Sequence, residues 1–401
     1  MKRRRQSVLT TLFCGLLWST FCSGAASAQP GLKSEERSAL DLLPPGCVAV
    51  VEIAHPDQLL TTLTEHAVWK KILKQPEYHA AVSNPGYLMF LGIRTHIETQ
   101  IGMSWREAYD TVLGGGVTVA FDQETQGVVA LIRSRDAGKL QSAAKKLIEL
   151  GRQDAKFKGK DPLPEVDYRG ITVYGKDDGR FAIVGPWLVM VNKNKLGQKL
   201  IDTLLDGSDD SVSDNKQFAN ARTTISGEPT VWGWFDVSTV RDAGFAKGLK
   251  KNQTPNPAVE LLAGGVLTNI RQTPYVTAAL YVSPESTRLQ IAAPHKAEWV
   301  EEFREYWFGP DGSGAAEPPL ETDSTILSLS TYRKVSDMWL RAGDLFDERI
   351  NDQLATAAAN LTTFFSGKDF GEDILGSFAP HLQLIVNRQN FEKVFPKPAI
   401  R

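Results

Sequence analysis

The sequence predicts an α+β protein in which amphipathic helices cover antiparallel sheets and hairpins. Residues 171–191 hold three short apolar runs separated by Asp-Gly and Gly-Pro turns, a pattern typical of an antiparallel meander. Residues 136–150 and 196–205 instead carry apolar residues at helical spacing. Because the hairpins are flanked by amphipathic helices, the sequence indicates antiparallel sheets covered on one face, which is the α+β class.

The first element pair is a strand followed by a helix. The turn Pro44-Pro45-Gly46 precedes an apolar run at residues 48–53, and Pro56 is suited to the first position of a helix. The helix is indicated by apolar residues that recur at helical spacing, namely Leu59, Leu60, Leu63 and Ala67. Further along, residues 114–116 are all glycine and are expected to end a helix and begin a strand.

Two amphipathic helices flank the predicted meander. Asp136 is expected to cap the helix at residues 136–150, and Gly151 is expected to end it. After the meander, Gly207 is expected to end a helix whose apolar stripe is formed by Leu196, Leu200, Ile201, Leu204 and Leu205. Composition indicates linkers at residues 156–164, 248–257 and 309–319.

Similar strand-to-helix starts at residues 48, 231 and 325 suggest an internal repeat. A second repeated phrase, at residues 113–117 and 262–266, is expected to end a helix and begin a strand in both places. The alternative is that such transitions simply favour glycine. The predicted division is a signal peptide at 1–28, a first α+β unit at 38–155, a meander, helix and second unit at 165–308, and an incomplete third unit at 320–401.

The N-terminus has the three parts of a secretory signal peptide. Residues 2–5 are all basic, residues 8–21 are mostly apolar, and Ala26-Ser27-Ala28 provides a small-x-small cleavage site before Gln29. We therefore expect cleavage between Ala28 and Gln29 and export to the periplasm or the cell exterior. An uncleaved N-terminal anchor is the alternative. No later segment offers the roughly 20 uncharged apolar residues of a membrane-spanning helix.

Removing the leader changes the charge and the cysteine content. The full chain of 401 residues has a formal charge of −2, and the 373 residues that remain have −6, because the leader holds four cations and no acid. Neither value favours nucleic-acid binding, which usually requires a basic face. Cys14 and Cys22 leave with the leader, so Cys47 has no partner for an intramolecular disulfide. A core thiol is the simplest interpretation, with a nucleophile or an intermolecular bridge as alternatives.

The sequence contains no strong catalytic or metal-binding motif. There is no Gly-x-Ser-x-Gly turn, and His55, His66 and His79 have no recognisable partner spacing, although dispersed residues could still form a triad. The acidic stretch at residues 206–214 has Ser211 where a calcium-binding EF-hand loop requires glycine. Gly114-Gly115-Gly116 precedes a strand, so it lacks the helix N-terminus of a phosphate site. We predict no catalytic residue, metal or cofactor.

The candidate ligand surface is a pair of tryptophans. Trp232 and Trp234 are two residues apart in a predicted strand and therefore share one face of it. Their indoles could form a platform for sugars or other flat ligands. The alternative is that a covering helix buries both rings in the core, which is the commoner use of such a pair.

Several phrases together resemble a known family. They are the leader, Leu43-Pro44-Pro45-Gly46 before an apolar run, Tyr168-Arg169-Gly170-Ile171 before a hairpin, and Trp232 at the opening of a later unit. The chain resembles large secreted bacterial proteins of planctomycete type that are known only as a domain of unknown function. The resemblance implies a longer chain than this one, and it supplies no catalytic residues.

The sequence favours an exported binding or structural component of the periplasm or cell exterior, with a glycan, a lipid or an envelope protein as possible partners. Two alternatives remain: a hydrolase with a site assembled from dispersed residues, and a carrier of apolar ligands. A histidine, an acid and a nucleophile in one cleft would favour the enzyme. A pocket lined by helices and sheet would favour the carrier.

Overall fold

A computed structural model of the protein describes residues 37–159, 162–243, 253–254 and 256–388. Within this part of the chain the strands are numbered in chain order, with the residue ranges given below. Ten of them form one antiparallel sheet in the order β10-β9-β8-β1-β2-β3-β7-β6-β5-β4, and two more form a second sheet. Helices cover these sheets, so the predicted α+β class is confirmed. The predicted signal peptide, with its expected cleavage site between Ala28 and Gln29, lies outside the described residues, as do residues 389–401.

The strands are β1 (Cys47–Ile53), β2 (Val117–Asp122), β3 (Gly127–Arg133), β4 (Glu165–Tyr168), β5 (Ile171–Lys176), β6 (Gly179–Val184), β7 (Trp187–Val191), β8 (Val231–Asp236), β9 (Tyr275–Val282), β10 (Thr287–Ala292), β11 (Thr325–Tyr332) and β12 (His381–Asn387). The α-helices are α1 (Ala39–Leu42), α2 (Pro56–Glu65), α3 (Ala67–Ile72), α4 (Pro76–Val82), α5 (Pro85–Ile101), α6 (Trp105–Leu113), α7 (Ala137–Phe157), α8 (Asn194–Asp206), α9 (Lys216–Thr223), α10 (Val237–Asp242), α11 (Pro257–Gln272), α12 (Glu305–Phe308), α13 (Val335–Leu340), α14 (Ala342–Leu345) and α15 (Glu348–Phe364).

The described chain divides into two compact units. Unit 1 comprises the described residues up to Asp236 together with Tyr275–Ala292, and it contains the ten-stranded sheet. Unit 2 comprises the described residues of Val237–Pro274 and those from Ala293 onward, and it contains the pair β11 and β12. The predicted division into units at 38–155, 165–308 and 320–401 is based on repeated sequence phrases, and it stays a prediction.

One face of the unit 1 sheet is the hydrophobic core. Alternation along each strand places Val50, Ala120, Val129 and Trp234 on this face, and all four are buried. Helix α8 covers part of the same face with the predicted stripe of Leu196, Leu200, Ile201, Leu204 and Leu205, all of them buried. The predicted meander is also confirmed as β5, β6 and β7, with β4 added as the edge strand.

The opposite face of the sheet is only partly covered. One row of directly paired residues crosses it from Ile291 through Ala278, Gly233, Val51, Val119, Ala130, Met190, Phe181 and Tyr174 to Glu165. Helix α7 starts just after β3, and its Arg152 pairs with Glu165 of β4 at 3.3 Å. Since Glu165 belongs to this row, α7 lies on the face opposite α8.

Helix α7 is longer than the sequence predicts. Asp136 caps it as expected by accepting a hydrogen bond from the Lys139 amide. The helix then continues through Gly151 to Phe157, so the predicted end at Gly151 is wrong. Ala155 is buried, which means that the packed stripe extends past the glycine. A glycine inside a helix costs only about 1 kcal/mol relative to alanine, and packing of this kind offsets that cost.

The two glycines predicted to begin a strand at residues 264–266 instead lie inside a helix. Helix α11 runs without interruption from Pro257 to Gln272, and β9 begins only at Tyr275. A Cβ on Gly264 would overlap the Glu260 carboxylate, and one on Gly265 would overlap the Trp307 indole. These glycines therefore allow close packing, whereas Gly114 does end α6 before β2 as predicted.

Unit 2 is built around a buried polar cluster beside a small apolar core. Glu260 and Arg304 are both fully buried and form an ion pair with 2.9 Å between Oε1 and Nε. Tyr306 donates a 2.9 Å hydrogen bond to Glu260 Oε1, and Thr254 donates one of the same length to Oε2. Burial, followed by the charge of Glu260, raises the pKa of Tyr306. The adjoining core consists of Tyr306, Met338, Leu345, Phe346 and Ile350.

Candidate functional site

Unit 1 contains a cavity of about 280 Å³ between the meander and helix α8. We call it the meander groove. It is lined by residues of β4 to β7 and of the first two turns of α8, namely Val166, Tyr168, Val173, Arg180, Phe181, Ala182, Val189, Val191, Asn194, Gly197, Gln198 and Ile201. Its volume is just below the range of roughly 300–1,000 Å³ that is usual for ligand pockets. A small ligand therefore fits it best.

The floor of the meander groove is apolar because of strand register. Val189 pairs with Ala182, Ala182 with Val173, and Val173 with Val166, so these four side chains form one row on the core face. Ala182 and Val189 are buried, whereas Val166 on edge strand β4 is 49% exposed. The groove is therefore closed toward the middle of the sheet and open at its edge.

Helix α8 forms the roof of the groove. Ile201 is buried and belongs to the hydrophobic core, whereas Gly197 has no side chain to fill the space above the strands. A Cβ added at Gly197 would lie 3.0 Å from Val191 Cγ2, which is tighter than normal packing. The helix therefore lies close to β7 at this point, and the free space remains beside it over β5 and β6.

Polar groups lie on both sides of the apolar row, at the next core-face positions along the strands. On one side, Arg180 of β6 pairs with Val191 of β7, two residues along each strand from the pair Ala182 and Val189. The Nε atom of Arg180 donates a 3.3 Å hydrogen bond to the Asp177 carbonyl. Asn194 Oδ1 is buried and has no hydrogen-bond partner among the described residues. The polar head of a ligand could therefore meet the Arg180 cation and the unused Asn194 Oδ1 acceptor on this side of the row.

The other side of the row is closed by a hydrogen-bonded group formed by β4, the turn after it and α8. Tyr168 OH donates to Asp202 Oδ2 at 3.1 Å, and Arg169 bridges Asp202 and Asp206, with 2.7 Å to each. Desolvation, followed by the hydrogen bond to Asp202, raises the pKa of Tyr168. The hydrogen bonds to Asp206 and Asp202 raise the pKa of Arg169. These contacts connect the edge strand to the helix and fix the width of the groove.

A second cleft, of about 470 Å³, is lined mainly by charged residues. Arg135 pairs with Asp57 at 2.8 Å, and Lys139 pairs with Glu107 at 3.1 Å. The Ser104 hydroxyl accepts a hydrogen bond from the Glu107 amide and so caps helix α6. Because these groups already satisfy one another at the surface, this cleft is a weaker candidate than the meander groove.

The two tryptophans proposed as a ligand surface lie in the core. Trp232 and Trp234 are each 2% exposed, and Phe218 of α9 packs edge-on against both rings at centroid distances of 5.3 and 5.2 Å. Arg222 lies 4.7 Å above the Trp232 ring centroid. Neither indole presents a face on which a flat ligand could stack, which is the arrangement that the core interpretation expects.

The remaining candidate side chains have structural surroundings. Cys47 is buried, and burial raises the pKa of its thiol to about 12, with a smaller contribution from Asp122. His66 Nδ1 accepts a hydrogen bond from the Val68 amide, and His55 precedes α2. In the stretch between residues 206 and 214, Ser211 and Asp214 cap a short 3₁₀ helix. The described residues contain no cluster of metal-binding side chains.

Sequence reasoning alone did not identify the meander groove. Its apolar row comes from four strands and its roof from a helix, so no short motif contains it. The available signal was indirect: alternation in β5 to β7 places Val173, Ala182 and Val189 on one face, and Gly197 interrupts the surface of an otherwise bulky helix.

Comparison with known proteins adds little. No protein-family model and no curated protein sequence matches the chain. Three crystal forms of TP0453 are similar solved structures. Form III has 11% identity and a TM-score of 0.31, covering 67% of this chain and 80% of that one. Form IV has 10% identity and a TM-score of 0.32, covering 64% and 80%. Form I has 10% identity and a TM-score of 0.33, covering 74% and 90%. TM-scores at this level support no conclusion about fold or function.

Proposed function

We propose that this chain is an exported binding protein that holds a small apolar ligand with a polar or anionic head in the meander groove. The observation that carries the proposal is the apolar row of Val166, Val173, Ala182 and Val189 beneath helix α8, open at the sheet edge. Export rests on the predicted leader. The resemblance to a secreted family agrees with export but says nothing about the ligand.

The chemistry of the lining suggests how such a ligand would bind. Burial of apolar ligand surface contributes roughly 25 cal/mol per Å² before the costs of association. Arg180 lies on one side of the row, where a charge-assisted hydrogen bond to a carboxylate would contribute about 1.5–3 kcal/mol. A medium-chain carboxylate such as decanoate combines both features and is a suitable probe.

Isothermal titration of the chain from Gln29 onward with decanoate tests the proposal. Val166→Trp places a large ring in the open mouth without disturbing the buried floor, and we expect it to raise the Kd by about tenfold or more, equivalent to at least ~1.4 kcal/mol. Arg180→Gln removes the cation, and we expect a similar loss because the charge-assisted bond is absent.

The matched control is Val119→Trp. Val119 is 37% exposed on β2 of the same sheet but does not line the groove, so this variant makes the same change of side chain elsewhere. We expect its Kd for decanoate to equal that of the unchanged chain. Equal affinity in all three variants, or no binding by the unchanged chain, would refute the proposal.

A further inference from the structure

Three helices of unit 1 expose an unusual amount of apolar surface. Helices α3 and α4 contain no buried residue, and α5 buries only Ile101 at its last position. We call residues 67–90 the helical arm. Seven of its large apolar side chains are between 38% and 64% exposed, whereas Leu73, Tyr78 and Val82 are half-buried. The seven are Val68, Trp69, Ile72, Tyr87, Leu88, Met89 and Phe90.

The apolar side chains at the start of α5 point in all directions. Tyr87, Leu88, Met89 and Phe90 are consecutive, so successive side chains are rotated by about 100° around the helix axis and together surround it. A protein groove covers one side of a helix, whereas a fluid apolar layer can contact side chains that are exposed on several sides. The interfacial region of a lipid layer provides such a medium.

The helical arm is also basic. It contains Lys70, Lys71 and Lys74 but only one acid, Glu77, giving a formal charge of +2 in a chain whose total is −2. None of the three lysines forms an ion pair within the part of the chain that the structure describes. Lysines beside exposed aromatic and aliphatic residues are typical of segments that bind anionic lipid surfaces.

The helical arm is attached to the rest of unit 1 at both ends. The Ala67 amide donates a 3.0 Å hydrogen bond to the Pro284 carbonyl in the turn between β9 and β10. Beyond the arm, Lys146 Nζ of α7 donates a 3.0 Å bond to the carbonyl of Ile101, where α5 ends. No described helix has the length and apolar character needed to cross a membrane.

We propose that the helical arm docks on the surface of an anionic lipid membrane. Trp69 and residues 87–90 enter the boundary between headgroups and acyl chains, and the three lysines face the headgroup charge. A segment of this kind lies in the interface at a depth of roughly 5–10 Å and does not span the bilayer. This inference is independent of the ligand in the meander groove.

Cosedimentation with vesicles tests the docking. The chain from Gln29 onward is used because the leader itself would bind lipid, and the vesicles contain phosphatidylcholine with or without phosphatidylglycerol. We expect binding that is stronger with phosphatidylglycerol and weaker at high salt. The triple variant Lys70→Gln, Lys71→Gln, Lys74→Gln should reduce the partition coefficient on anionic vesicles by about 100-fold, because each lysine near such a surface contributes a factor of about five.

Controls separate docking by the arm from general effects of charge. Lys145→Gln and Lys156→Gln on α7, with Lys158→Gln at its C-cap, remove the same number of exposed charges outside the arm, and we expect this triple variant to bind like the unchanged chain. Leu88→Ser with Phe90→Ser should reduce binding to both vesicle types by at least about tenfold, because exposed apolar area is lost. Circular dichroism should show that every variant is folded.

A site-specific label identifies the segment that touches lipid. Met89→Cys provides an exposed thiol for an environment-sensitive dye, whereas Cys47 is buried and reacts poorly. We expect a blue shift of the dye on anionic vesicles and quenching by brominated acyl chains. Absence of vesicle binding by the unchanged chain, equal binding by the arm and control variants, or a dye that senses no lipid would overturn the proposal. The groove variants Val166→Trp and Arg180→Gln should bind vesicles like the unchanged chain. Failure of membrane docking and failure of ligand binding in the meander groove can therefore be told apart.

Discussion

Replacing Arg304 by methionine is expected to destabilise unit 2 strongly. Arg304 and Glu260 are both fully buried, with 2.9 Å between Nε and Oε1 and 3.3 Å between Nη2 and Oε2. Arg304→Met leaves the Glu260 carboxylate buried with only hydroxyl donors from Tyr306 and Thr254. Removing one partner of a buried ion pair costs about 3–5 kcal/mol, because the remaining charge is uncompensated.

The double variant Glu260→Leu with Arg304→Met should be more stable than the single variant. It removes both buried charges, so neither must be desolvated during folding. Tyr306 OH still has an acceptor, since it also donates a 2.9 Å bond to the Glu260 main-chain carbonyl. We therefore expect the double variant to recover at least about 2 kcal/mol of the loss, as buried ion pairs often contribute little relative to apolar residues of similar volume.

Hydrogen exchange of helix α11 in increasing urea measures the free energy of unfolding of unit 2 without contribution from unit 1. The control is Lys296→Met, which breaks a surface pair in unit 2, with Glu298 at 3.3 Å, in which the side chains are 62% and 70% exposed. Pairs of this kind contribute about 0–1 kcal/mol. A loss below about 1 kcal/mol for Arg304→Met, or a double variant no more stable than the single one, would refute the reasoning.

Two further predictions concern buried positions. Because the folded pKa of Cys47 is raised from 9.0 to about 12, the thiol ionises first in the unfolded chain, so stability should fall by about 1.4 kcal/mol per pH unit between pH 9 and pH 12. Cys47→Ala should remove this slope in urea titrations, and equal slopes in both proteins would contradict the assignment. Gly265→Ala should destabilise unit 2 by about 1–3 kcal/mol, because its Cβ overlaps Trp307. Gly92→Ala in α5, whose added Cβ meets no atom, should instead stabilise its helix by up to about 1 kcal/mol. A stabilising Gly265→Ala or a destabilising Gly92→Ala in thermal unfolding would contradict the corresponding assignment.

The parts of the fold that the sequence predicts correctly are those specified by local patterns. The meander follows from period-two alternation with Asp-Gly and Gly-Pro turns, and α8 follows from five apolar residues on one stripe. The cap at Asp136 likewise depends only on residues within one helical turn.

The errors arise where distant residues decide the outcome. Gly264 and Gly265 have the local appearance of a helix end, but they pack against Tyr306 and Trp307, more than 40 residues further along the chain. Similarly, β1 lies between β2 and β8, and no local pattern specifies that order. The meander groove depends on the same long-range pairing, which explains why the sequence indicated the core tryptophans and not Val166 or Arg180.

The edge position of the meander groove also bears on what can enter it. An exposed edge strand can pair with another polypeptide, and natural edges are usually short or charged to prevent this. Strand β4 has only four residues, and two of them are the acids Glu165 and Asp167. The two charges and the short length of β4 therefore disfavour the pairing of another polypeptide strand beside Val166, where the meander groove opens. A compact ligand needs no backbone pairing and meets neither obstacle, so the edge that resists a peptide strand still admits a small apolar molecule. Replacing Glu165 and Asp167 by Thr should therefore promote self-association in analytical ultracentrifugation without strengthening the binding of decanoate.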